Sequence, residues 1–176
     1  MSEKKIKAGI SQGDTNGISY ELILKTFNDT HIFETCIPVG YGSSKILAYH
    51  RKALDLTHVN ISNINRAEDA GANRLNIINV IKEDLMVEMG KPTSESARAS
   101  DVALDRALDD LKNRAIDVLI VMPSQTDPTS SAETKTAHEK KSMRIVSGDN
   151  FRLALATAVT PLAEVSNLLT AESLTE

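Results

Sequence analysis

Residues 12–17, Gln-Gly-Asp-Thr-Asn-Gly, are the stretch whose types and spacing could do chemistry. An apolar run at 6–10 precedes them, and Ile18, Leu22 and Ile23 follow at helical spacing. Strand, glycine turn and helix make the opening unit of an α/β sheet. Such a turn puts backbone N–H groups and a helix start at the carboxyl edge of the sheet, where open α/β sheets take ligands. Gln12, Gly13, Asp14, Asn16 and Gly17 are therefore the candidate ligand-binding residues. The spacing G-x-x-x-G is neither the dinucleotide fingerprint nor a P-loop. A small phosphorylated ligand on the turn and a purely local role stay open side by side. In the local role Asp14 caps the turn through its carboxylate.

The other reactive side chains are scattered. His31, His50, His58 and His138 have no partner at metal-ligand spacing, and Tyr49, His50 and Arg51 read as helix surface. Cys36 is the only cysteine and precedes an apolar run, so it reads as an inert buried thiol in a reducing, cytoplasmic protein. No catalytic residue and no metal ligand is assigned.

These groups need a scaffold, and the chain can supply one. With 176 residues it has the length of a single domain, 1–176. Aromatic residues are 3% of the chain, so the core must be built from Ile, Leu, Val and Ala. The net charge of −4, without a basic stripe, argues against nucleic acid. No apolar run approaches the ~20 residues of a membrane span, and the N-terminus carries no signal-peptide core.

Strands are expected at 6–10, 36–41, 59–64 and 76–80, with an extended piece at 85–89. Helices are expected after Gly17, through Ile18, Leu22 and Ile23 to about 28–30, at 45–54 with Ser43 or Ser44 as its cap, and at 94–113 capped by Thr93 or Ser94. In that last helix Ala97, Val102, Leu104, Ala107, Leu108 and Leu111 form the apolar stripe, and the charged residues are solvated. The run 116–121 suits a central strand covered on both faces. Residues 123–142 are almost wholly polar and read as a loop or linker. Strands at 143–146 and 152–157 form a hairpin around Gly148-Asp149-Asn150, and a short helix follows at 161–169.

Several segments resemble the 4-hydroxythreonine-4-phosphate dehydrogenase (PdxA) family of pyridoxal phosphate biosynthesis. ISQGDTNGISYELILKTF at 10–27 is similar to the family's T-x-G-D-x-x-G-I-G-x-E opening. PVGYGSSKILAYHRKAL at 38–54 resembles its second βα unit, and 94–121 its approach to T-G-P-x-x-K. DNFRLALATAVTPLAEVSNLLT at 149–170 resembles D-x-[FL]-R-V-A-L-x-T-x-H-x-P-L. The resemblance implies a three-layer α/β/α sandwich, isocitrate-dehydrogenase-like, with a mostly parallel sheet, a C-terminal antiparallel hairpin and a homodimer. It also implies NAD and a divalent metal, zinc or magnesium, for oxidation of a phosphorylated alcohol followed by decarboxylation, with Gln12, Gly13, Asp14, Asn16 and Gly17 as the cofactor-binding residues, although this chain is expected to bind neither NAD nor the metal itself.

The departures from the family fall at its chemical positions. Val159 stands where a metal-binding histidine is expected, and valine cannot coordinate. The lysine of T-G-P-x-x-K is lost near Thr126, and Met122 replaces its glycine. His138 reads either as the remnant of the family's substrate-binding histidine or as a surface residue. The family's N-P-H-A-G-E and H-D-Q-G-L motifs are absent. The expectation is a PdxA-like scaffold that is inactive by itself. The alternative is a non-catalytic or engineered single-domain derivative that folds and oligomerises without chemistry.

Overall fold

The computed structural model describes residues 5–124, 144–157 and 162–171. The chain divides into two compact units, Met1–Thr126 and Asp127–Glu176. His138, Val159 and Thr126, and nearly all of the polar 123–142 segment, lie outside the described residues.

The first unit alternates strands and helices. β1 (Ile6–Ser11) leads through the glycine turn to α1 (Ser19–Asn28), and a short α2 (Ile32–Thr35) precedes β2 (Cys36–Gly42). Then come α3 (Ser44–Ala53), β3 (Ile61–Ile64), β4 (Leu75–Asn79), the long α4 (Ser94–Lys112) and β5 (Val118–Ile120). The strands form one sheet in the order β3-β4-β2-β1-β5, and every neighbouring pair is parallel.

Alternation along the strands sends side chains to two separate cores. Ile10 and Ile77 face α1, α2 and α3, where Leu24, Phe27, Phe33 and Leu47 bury them. Val39, Tyr41 and Ile78 face the other way, against Ala103 and Ala107 of α4 and against Ile116. The result is an α/β/α sandwich of three layers. Small residues on α4 let its backbone lie close to the sheet. Gly9 serves the same end: a Cβ there would stand 2.3 Å from Ile116 Cδ1. Both predicted caps form, with Ser43 Oγ accepting from Ile46 N at 3.3 Å and Thr93 Oγ1 from Ser96 N at 3.2 Å.

Four expectations need correction. The 116–121 run is not a central strand, because β5 pairs only with β1 and lies at the sheet edge among the described strands. Its Val118, Ile120 and Val121 are 43–47% exposed. Residues 85–89 form no strand, since their backbone is drawn into contacts with the glycine turn. The buried stripe of α4 is Ala99, Ala103, Leu104, Ala107 and Leu108, whereas Val102 is exposed. Asp110 is buried rather than solvated, taking a hydrogen bond from the Tyr41 hydroxyl at 2.9 Å and pairing with Arg106 Nε at 3.2 Å. Burial of the Tyr41 ring, and then the neighbouring Asp110 carboxylate, push the Tyr41 phenol well above its usual range.

The second unit contains the expected antiparallel hairpin, β6 (Arg144–Gly148) and β7 (Phe151–Leu155), joined by a two-residue turn. A helix, α5, follows at Leu162–Leu168. Among the described residues no helix is long and apolar enough to cross a membrane.

Candidate functional site

The turn after β1 is held in place by Met122 and Pro123, which follow β1's edge neighbour, β5. Gly13 has φ +64°, a conformation that costs an L side chain about 1 kcal/mol or more. Space forbids a side chain as well, since a Cβ would lie 2.5 Å from the Pro123 carbonyl oxygen. That same oxygen accepts from Asp14 N at 3.0 Å and from Ser19 Oγ at 3.1 Å. Met122 N donates to Ser11 Oγ at 3.2 Å.

Asp14 and Asn16 carry the turn to α4. The Asp14 Oδ1 accepts from Asn16 N at 2.9 Å, which is the local capping geometry expected of an Asx turn. It also accepts from the Ser96 hydroxyl, in the first turn of α4. Ser96 Oγ in turn accepts from Thr15 N at 3.1 Å and Thr15 Oγ1 at 3.0 Å. Asn16 uses its whole amide: Oδ1 accepts from Glu88 N at 2.9 Å, and Nδ2 donates to Lys91 O and Thr93 Oγ1. Gly17 is half-buried, its N–H donating to Asp14 O at 3.3 Å.

Gln12 reaches across the sheet edge. Its Nε2 donates to Ala99 O of α4 at 2.9 Å, while Oε1 accepts from the Tyr20 hydroxyl and from Ser43 N. Tyr20 stacks on His50 with ring centroids 5.3 Å apart, and the His50 Nε2 donates to Thr15 O at 3.2 Å. The bonded carbonyl can only accept, so this nitrogen carries the proton. His50 is therefore a buried prop of the turn and not helix surface, which corrects the expectation for it. Burial raises the Tyr20 phenol above its usual range and lowers the His50 imidazole below its own.

The five predicted residues of the turn thus come together. Their polar groups are engaged within the protein, and the N–H groups of residues 14–17 point at internal acceptors. Thr15, Tyr20, His50, Thr93 and Ser96 belong to the same constellation and escaped the sequence reading. Thr93 and Ser96 carry a detectable cue, a cap motif, but nothing in spacing links them to a turn some eighty residues earlier. His31 and His58 are exposed, and Cys36 is half-buried, with its thiol 3.6 Å from Ile32 O. Among the described residues no group of three or more His, Cys, Asp or Glu could hold a metal ion.

The fold and its carboxyl-edge turn define a parallel-sheet α/β protein of three layers. The family profile "Pyridoxal phosphate biosynthetic protein PdxA" matches residues 34–176, and the chain belongs to that family. It is 40% identical, over its whole length, to the 4-hydroxythreonine-4-phosphate dehydrogenase of Bacteroides thetaiotaomicron, covering 51% of that protein. It is 30% identical to the corresponding Sulfurihydrogenibium enzyme over 96% of this chain and 54% of that one. The chain spans about half the length of the curated relatives it matches. A crystal structure of the dehydrogenase from Burkholderia phymatum superposes with a TM-score of 0.77 at 17% identity, over 92% of this chain and 52% of that one. That from Klebsiella pneumoniae gives 0.71 at 16%, over 98% and 56%. At these identities the structures bear on the fold alone.

The depressed His50 pKa has a consequence for stability. The unfolded imidazole takes up a proton near its ordinary 6.5, while the folded one resists until lower pH. The unfolded state then binds more protons, so stability is full above about 6.5 and is lost as pH falls through the folded pKa. Urea midpoints measured across that window should decline in the native chain and decline less in His50→Gln. An equal pH dependence in both proteins would contradict this assignment.

Proposed function

We propose that this chain is the scaffold portion of a PdxA-type 4-hydroxythreonine-4-phosphate dehydrogenase and does not turn over substrate alone. The observation that carries this reading is the 40% identity to the Bacteroides enzyme across the entire chain, which covers about half of that enzyme. A dehydrogenase of this kind passes hydride from a secondary alcohol to a nicotinamide, and the cofactor supplies that chemistry when bound. In our reading residues 12–17 form a fixed wall beside which the nicotinamide cofactor sits, and His138 contributes to holding the phosphorylated substrate. The valine at 159 and the missing lysine near 126 support the lack of independent turnover.

Purified chain supplied with 4-hydroxythreonine 4-phosphate, NAD and magnesium or zinc should produce no NADH absorbance above a protein-free control. A rise proportional to protein concentration would overturn the reading. We also propose that the chain self-associates through the apolar β5 edge, where Val118, Ile120 and Val121 are about half-exposed. Light scattering should return at least twice the chain mass, and a monomer at high concentration would rule this out.

A further inference from the structure

A cleft of about 540 Å³ opens at the carboxyl ends of β3 and β4, on the α4 face of the sheet. None of the residues 12–17 lines it. Its polar wall is Ser44, Asn63, Asn65, Asn79, Lys82 and Arg106, without a single carboxylate. That is an unusual local balance in a chain of net charge −4. Ile64, Ile78, Val80 and the exposed Val102 supply the apolar part.

The donors are available. Among the described residues Lys82 forms no ion pair, and Arg106 is paired with Asp110 through its Nε alone, which leaves its other guanidinium nitrogens without a hydrogen bond there. The Asn63 and Asn65 side chains make no hydrogen bond among the described residues. Asn79 is fixed instead, its Oδ1 accepting from Ser44 N at 3.1 Å and its Nδ2 donating to Ile81 O at 3.2 Å. An adjoining hollow of about 330 Å³ farther along α4 shares Lys82 and Val102 with the cleft and adds Glu83, Glu95 and Arg98, where Arg98 and Glu83 are paired. The first cleft is the one of the two whose lining holds cations and no carboxylate.

Cations with free amides beside an apolar wall suit a phosphomonoester with a hydrogen-bonding body, and the volume fits a ligand of mononucleotide size or smaller. We infer that this cleft binds a phosphomonoester, with its phosphate between Lys82 and Arg106 and its body against Asn63 and Asn65. Such binding needs neither turnover nor the proposed dehydrogenase activity.

The test is a titration of isotope-labelled chain, followed by NMR, with AMP, ribose 5-phosphate and inorganic phosphate in separate runs. Both phosphomonoesters should shift the Asn63 and Asn65 side-chain amides saturably, and the tighter of the two identifies a nucleotide or a sugar phosphate as the source. Lys82→Glu should weaken binding about tenfold or more, and Lys82→Arg should largely restore it. Lys82 is exposed, so unchanged resonances elsewhere will verify that both variants are folded. The inference is overturned if no ligand gives saturable shifts or if Lys82→Glu binds as the native chain does. Shifts centred on residues 12–17, or equal affinity for bare phosphate, would overturn it as well.

Discussion

The Asp14 carboxylate, buried where β1 gives way to α1, receives hydrogen bonds from Asn16 two residues on and from Ser96 on α4. A hydrogen bond to a charged group contributes about 1.5–3 kcal/mol, and an unpartnered buried carboxylate would cost more. Through Ser96 the turn fixes the start of α4. The helix α4 covers one face of the sheet and feeds β5, and the end of β5 returns Pro123 to press on Gly13. Sequence-distant elements are closed into one circuit by a handful of polar contacts at a single edge.

On the opposite face Gln12, Tyr20 and His50 tie the same turn to α1 and α3. Among the described residues no buried side-chain nitrogen or oxygen is left without a partner. Polar groups placed this deep specify one arrangement, because any shift strands a donor or acceptor away from water. The contrast with the β3–β4 end is physical. There the amides and cations face an open cleft with few internal partners, and at the turn they are consumed in holding the fold.

Much of the scaffold was legible because it depends on local signals. Apolar runs located β1 and β2, Ser43 and Thr93 announced helix starts, and Gly148-Asp149-Asn150 marked the hairpin. The glycine turn and the local role of the Asp14 carboxylate were also readable. What escaped depends on tertiary placement. An apolar run cannot report that β5 has only one described neighbour, and a histidine on a helix does not announce Thr15 as its acceptor. Periodicity ranked Val102 with the core and Asp110 with solvent. The small residues Ser96, Ala99, Ser100, Ala103 and Ala107 in fact set the buried face, and Tyr41 supplies a partner for the acid.

The account rests on the turn being a rigid brace and not a pliable loop. Native-state hydrogen exchange of the Asp14, Thr15 and Asn16 amides tests this most directly, because each is bonded to an acceptor inside the protein. The account predicts that they exchange as slowly as the amides of β1. Exchange at the rate of an exposed loop would contradict it.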